Sequence, residues 1–492
     1  MAKLFLFAIG GTGSRVVKSL VMLLASGVKM ENTESIIPII IDPDSSNGDL
    51  TRTIEILKEY KNIRDKSFSK DTSFFNTRIC SLDELGEGAF VSDKFTFDID
   101  GVKSQLFKEF IGFSELDENN KALVTLLFSK SNLEADMEVG FKGNPNIGSV
   151  VLNKFKETQF FTKFASNFEQ EDRVFIISSI FGGTGAAGFP LILKNIRDAK
   201  DPVPKFAFLN EAKIGAVSVL PYFGVDKSSG SSIDSNTFTS KTIAALKYYA
   251  DNICRNNSIN ALYYIGDNLS NDQTGADGSN KQKNNAHFIE LASALSIVDF
   301  MSIPSAELSF IDGKVTNPKY FEFGIKNEKN NVSFSDLAQQ TYELIAAPLA
   351  SYSLFKTYME HQYEEACSNT KTVHIYDGLN KLSKEFLDNR FRQSLSLFNR
   401  HFQDWVQEMS RSNISFNSID LSKTGDDMFD QIIGKAVKIG IFEQLKKGKA
   451  KEQYVGLLNE KASSFDGLNS CQKLMALQSV VTKEIVSSKI KI

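Results

Sequence analysis

The chain has 492 residues, 42% of them apolar and 24% charged, with a formal net charge of −4. That length makes room for two or three domains with large cores, and the charge balance excludes a global basic field of the kind that binds nucleic acid or an anionic membrane. Four cysteines, Cys80, Cys254, Cys367 and Cys471, lie far apart with no C-x-x-C pair, which reads as reduced thiols in a cytoplasmic protein rather than a metal site or disulfide frame.

Lys3–Ile9 is an apolar run that glycines cut short from Gly10 onward and that has no cleavage site, so it reads as a strand and not a signal peptide. No segment has transmembrane length. Gly10-Gly11-Thr12-Gly13-Ser14-Arg15 follows at once and opens a helix from Val16 to about Ser26. Ile36–Ile41 is a second buried strand ending at Asp42-Pro43-Asp44. Carboxylates at the tip of the second strand of a βαβ unit suit a ribose or a metal-phosphate edge; the same tripeptide is equally good turn chemistry. Residues 45–139 are mixed and rich in phenylalanine, which reads as core. Gly140-Phe141-Lys142-Gly143-Asn144-Pro145-Asn146-Ile147-Gly148-Ser149 is another glycine loop, running into a helix near Val150–Thr158.

The central stretch is Phe175 to Arg197. A strand buried on both faces stops at Gly182-Gly183-Thr184-Gly185-Ala186-Ala187-Gly188, and Pro190 then opens an amphipathic helix pattern. Glycines let backbone N–H groups approach an anion without Cβ interference, and a helix start adds a favourable dipole. A tight strand-to-helix turn with no ligand is the plain alternative for any one such loop. Lys213–Leu220 and Ala261–Ile265 are further strands, the second with Gly266-Asp267-Asn268 at its tip. Asn284–Met301 is a largely buried helix with Asn284, Asn285 and His287 at its start, where His287 could face a base. Alternating strands and helices specify a doubly wound α/β sheet, whose ligands bind at the carboxyl ends of the strands. Tyr320–Leu337 reads as a hairpin or strand pair, and the chain is helical from Asp336 to about Tyr363. The division expected is a nucleotide-binding domain over 1–305, a strand pair and helix over 306–365, and an all-helical tail over 366–492.

In this order the loops resemble the tubulin/FtsZ superfamily. Gly10–Arg15 is similar to its first phosphate loop, the G-N-P-x-I-G core of Gly143, Asn144 and Pro145 onward to its γ-phosphate loop, and Gly182-Gly183-Thr184-Gly185-Ala186 to its tubulin signature. Asn331-Val332-Ser333-Phe334-Ser335-Asp336-Leu337 is similar to its catalytic loop. The resemblance covers residues 3–337. It implies GTP/GDP with Mg²⁺, no direct metal ligand being assignable, held by these loops together with Asp42, Asp44, Asp267, Asn284 and Asn285. It further implies head-to-tail self-assembly, with Asp336, beside Asn331 and Ser333, positioning water against the nucleotide of the neighbouring subunit. The tail would contact other subunits or a protein partner. Phe181 and Ala187 depart from the signature glycines, Ser333 replaces an aspartate, and no four-stranded second domain follows. A nucleotide-binding assembly or signalling module with little turnover shares every phosphate loop with a GTPase, and Asp336 discriminates them unless it merely caps a helix. An NAD-type Rossmann enzyme would leave two of the three loops unexplained, and Val16 stands where its third glycine belongs.

Overall fold

A computed structural model describes residues 1–44, 46–97, 105–137, 141, 144–222, 235–267, 284–323, 330–377, 380–412, 414–435, 438, 440 and 449–492. Its strands are β1 Ala2–Ile9, β2 Thr33–Ile41, β3 Arg78–Ile79, β4 Thr96–Phe97, β5 Arg173–Ser179, β6 Lys213–Val219, β7 Ala261–Ile265, β8 Phe310–Ile311, β9 Lys314–Val315, β10 Lys319–Phe323, β11 Asn331–Val332 and β12 Ser415–Phe416. The principal helices are α1 Gly10–Ala25, α2 Gly48–Ser67, α3 Pro145–Leu152, α4 Gly183–Arg197, α5 Ser235–Tyr249, α6 Phe288–Ser302, α7 Gln339–His361, α8 Asn389–Arg411, α9 Ala450–Glu460 and α10 Ser470–Ile485.

The main sheet runs β10-β7-β6-β5-β1-β2-β3, with β4 also on β2, and all its pairings are parallel. A parallel sheet is covered on both faces, and its strands are accordingly continuous apolar runs. Phe5 and Phe7, two residues apart, project to one face and meet the rings of Phe164 and Phe155. On the other face Phe175 meets Phe300 of the central helix α6, and Gly215 leaves the space that ring fills, since a Cβ there would lie 2.7 Å from it. Arg173, buried at the start of β5, donates to the carbonyls of Phe300, Met301 and Ile303, so the C-terminal end of α6 is closed by a side chain at the amino edge of the sheet.

The expected hairpin is placed differently. Tyr320 lies in β10, which joins the main sheet parallel to β7, while the antiparallel hairpin is the short β8–β9 pair upstream. β11 pairs in parallel with β12, a two-residue strand within the otherwise helical tail. Strand propensity alone could not select these partners, because β11 and β12 are separated by 82 residues of mostly helical chain. The tail also packs against the sheet domain. Trp405 of α8 is buried and its indole N–H donates to Ser19 of α1 at 3.1 Å, and Phe398 meets Tyr60 and Phe75. No helix among the described residues is long and apolar enough to cross a membrane.

Candidate functional site

β1 leads to β2 on one side of the sheet, whereas β5 leads through β6 to β7 on the other, so the strand order reverses between β1 and β5. Such a reversal opens a crevice at the carboxyl ends of the strands. The two glycine loops that emerge there are Gly10–Arg15 and Gly182–Gly188. They meet: a Cβ on Gly10, whose φ is +70°, would lie 3.7 Å from Cβ of Thr184. Neither α1 nor α4 has a side-chain cap, so their first N–H groups are left without a capping oxygen.

The helix of the central loop starts earlier than its sequence suggests. α4 begins at Gly183, and Pro190 lies inside it rather than in its first turn. Its glycines permit close approach: a Cβ at Gly185 would fall 2.6 Å from the Ser179 carbonyl oxygen, and one at Gly188 would fall 2.9 Å from the Ile9 side chain. The carbonyl of Ala186, which Pro190 cannot satisfy for want of an N–H, accepts from the Tyr249 hydroxyl at 3.4 Å.

Gly140 and Gly143 of the remaining loop lie outside the described residues. Asn144 caps α3, its Oδ1 accepting from Asn146 N–H at 3.1 Å, with Pro145 as the first helical residue. The helix expected near Val150–Thr158 therefore starts five residues earlier and ends in a 3₁₀ turn, Asn153–Glu157. α3 presses on the start of α4, where a Cβ on Gly148 would be 2.9 Å from the Gly183 carbonyl oxygen. The described end of this loop, Gly148, thus lies against the start of α4.

Asp42 follows Ile41, the register partner of Ile9, and so stands at the same edge as Gly10. Its Oδ1 accepts from Asp44 N–H at 3.1 Å, and Asp44 Oδ1 accepts from the N–H and hydroxyl of Ser46. The turn geometry expected of Asp-Pro-Asp is therefore present. Burial, with Asp44 and Asp49 nearby, pushes the half-buried Asp42 carboxyl up to about 7 against the opposing Asp44 hydrogen bond. Asp267 lies at the tip of β7, half-buried at the same edge.

Arg15 and Asn284 have different work from that expected. Arg15 is buried, and its guanidinium bonds Asp49 at 2.7 Å, Tyr222 at 2.8 Å, Thr12 at 3.2 Å and Glu290. Burial alone would lower its pKa, but Tyr222, Glu290 and Asp49 outweigh that and raise it. Asn284 donates from both its backbone and its side chain to Asp49, each at 3.0 Å. Asn285 is exposed. His287 caps α6, its Nδ1 accepting from Ile289 N–H at 3.1 Å with its ring against Tyr222, so it is engaged as a cap and not as a base reader.

Asp49, Glu290, Arg52, Lys18 and Glu408 complete this buried ionic cluster, and sequence reasoning missed all five. One signal was available. Glu290 sits between Ile289 and Leu291 in the wholly buried first turns of its helix, and a buried carboxylate requires a partner.

The Asn331–Asp336 loop stands at an unexpected end of the fold. The superfamily resemblance puts it beyond the far end of the central helix. Here Phe334 meets Phe416, which stacks on Phe288, the first residue of α6. The loop is therefore beside the helix start that faces the glycine loops, while the C-terminal end of α6 belongs to Arg173. Asp336 Oδ2 accepts from the N–H and hydroxyl of Ser333 at 2.9 and 2.8 Å, closing a capping box on the turn Phe334–Asp336. Asn331 Oδ1 accepts from the Ser415 hydroxyl at 3.2 Å. Among the described residues no group of three or more His, Cys, Asp or Glu could hold a metal ion.

The sequence matches no family model and no curated protein. Solved structures similar to the chain include a GTPγS-bound protofilament of CetZ2 from Haloferax volcanii, with 12% identity over 63% of this chain and 60% of that one and a TM-score of 0.29. An empty FtsZ dimer from M. jannaschii is 15% identical over 54% and 45%, with a TM-score of 0.26. A GTPγS-form protofilament of TubZ from Bacillus thuringiensis serovar israelensis is 13% identical over 81% and 82%, with a TM-score of 0.29. The chain spans 60% of the CetZ2 chain and 45% of the FtsZ chain. The chain has an α/β fold, a parallel sheet with helices on both faces.

Proposed function

We propose that the chain binds a purine nucleoside di- or triphosphate, GTP or GDP, in the crevice between β1 and β5. The observation that carries this reading is the meeting of two uncapped, glycine-built helix starts at the point where the strand order reverses. The N–H groups of Gly10–Gly13 and Gly183–Gly185 would take the phosphates, with the Thr184 hydroxyl among them. Mg²⁺ would be held by phosphate oxygens and water, Asp42 and Asp44 being the carboxylates at that edge; a metal that keeps most of its water needs no protein cage. Arg15 holds the floor of the site from below and does not reach the ligand.

We further propose self-association head-to-tail, as the protofilament relatives suggest, with little or no hydrolysis. What favours low turnover is that Asp336 is committed to Ser333 and that its loop stands at the near end of α6. Thermal unfolding with millimolar GTP, GDP, ATP or NAD and Mg²⁺ tests the binding. A ligand at one hundred times its dissociation constant stabilises by about 2.7 kcal/mol. Stabilisation by GTP and GDP supports the proposal, stabilisation by ATP alone reassigns the base, and none by any of them rejects it. Phosphate release that rises steeply with protein concentration would reject the low-turnover reading.

A further inference from the structure

We propose that Glu408, on the tail helix α8, is a positioning residue for the nucleotide site, so that docking of the tail and binding of nucleotide are thermodynamically coupled. This rests on the nucleotide-binding reading above.

Glu408 enters the site from a distance of more than a hundred residues in sequence. Its Oε2 accepts from Ala286 N–H at 2.7 Å and from the Lys18 ammonium at 3.3 Å, while Oε1 accepts from Arg52 at 2.7 Å. Arg52 in turn donates to the Asn284 carbonyl and to Asp49, which also receives Asn284 and Arg15. Arg15 then reaches Thr12, in the first turn of the glycine helix. A continuous path of charged hydrogen bonds therefore runs from Glu408 through Arg52, Asp49 and Arg15 to Thr12. The backbone of 284–286, which leads into the central helix, is bonded to three members of the cluster.

Charge balance makes the connection stiff. Lys18, Arg15 and Arg52 face Asp49, Glu290 and Glu408, three cations to three carboxylates, all buried or nearly so. Tyr222 is the neutral hydroxyl among them, donating to Glu290 at 2.8 Å. If α8 lifts away, two buried cations lose their shared carboxylate, and a buried charge without its partner is strongly unfavourable. The cations must then move, and with them Asp49, Asn284 and the floor beneath Thr12. Linkage requires the converse: a ligand that holds this floor in place must also hold the tail down, by the same factor.

The full-length protein is tested with GDP and Mg²⁺. In the wild type, GDP should slow amide exchange in residues 389–411. Glu408→Gln keeps the shape but puts an amide NH₂ against donors and leaves three cations facing two carboxylates. It should weaken GDP binding about tenfold, within the range of ordinary coupling energies, and abolish the protection of α8. Lys18→Met with Glu408→Gln restores the balance at two and two, and should return affinity to within about threefold of wild type on the same scale. Tyr454→Phe, which removes the hydroxyl bonded to Gln478 in the tail away from the cluster, should lower stability without changing GDP affinity. The inference is overturned if GDP leaves exchange in 389–411 unchanged, or if Glu408→Gln binds GDP like wild type. It is also overturned if the double variant shows no recovery, or if Tyr454→Phe weakens binding equally, since a general loosening would then explain both. A wild type that binds no nucleotide overturns it together with the reading beneath it, whereas wild-type binding with unchanged variants overturns it alone.

Discussion

A carboxylate placed at the start of α4 should separate the phosphate site from the stability of the fold. Gly182 is the N-cap of that helix, with φ −84° and ψ 156°, a geometry that suits aspartate as a cap. The new Cβ would lie 2.9 Å from Ser179 Oγ, a hydroxyl that can rotate away. In Gly182→Asp the side chain would take the N–H groups of the first turn and put a negative charge at the positive end of the helix. Replacing glycine by aspartate as a cap is worth a few tenths of a kcal/mol, and the dipole adds about 0.3–1 kcal/mol. The unliganded variant should therefore melt about 1–3 °C above wild type. The same oxygens occupy the donors a phosphate needs, so the stabilisation of about 2.7 kcal/mol expected at one hundred times the dissociation constant should vanish. Unfolding scans with and without 1 mM GDP, together with titration of a fluorescent nucleotide, read both effects. Opposite signs in one variant cannot come from misfolding. A variant that keeps the full nucleotide shift would refute the assignment of this helix start to phosphate.

Arg15→Met should cost roughly 3–5 kcal/mol in the absence of any ligand, because it leaves Asp49 and Glu290 buried without their cation; a denaturant midpoint unchanged from wild type would show that the cluster does not support the fold. Asp336→Ala should cost about 1 kcal/mol through loss of its capping bonds to Ser333 and leave nucleotide affinity as it is, measured by the same titration. Asp42 has a folded-state value near 7, above that of an unfolded aspartate, so the folded chain holds the extra proton and stability falls as pH climbs from about 4 to 7. Asp42→Asn removes that fall, so the stability difference between variant and wild type should grow in the variant's favour across this window and level off above it; a constant difference in melting temperature from pH 4 to 8 would contradict the assignment. A chain ended after residue 365 exposes the surface that Phe398, Phe402 and Trp405 cover, and should fail to give a cooperative unfolding transition.

Local chemistry determined a good deal of this protein. The buried strands announce themselves as unbroken apolar runs, and the glycine loops mark the turns where those strands give way to helices, since backbone conformation and close approach depend on residues a few positions apart. Those features are enough to specify a parallel sheet and to mark Gly10–Gly13 and Gly182–Gly185 as places where backbone donors are available. Boundaries inside the loops were another matter. Gly183, Gly185 and Gly188 have poor helical propensity, and the helix they open packs closely against Ser179, Ile9 and α3. Long-range partnership was decided by tertiary structure alone. Arg15 reads as a phosphate ligand until Asp49, Glu290 and Tyr222 close around it, and Asp336 reads as a catalytic carboxylate until Ser333 takes its oxygen. The pairing of β11 with β12 and the reach of Glu408 to Arg52, 356 residues away, leave no periodic trace in the sequence. Burial of an ion selects its partner by distance in space and by the high cost of isolated charge, and neither quantity is a function of separation along the chain.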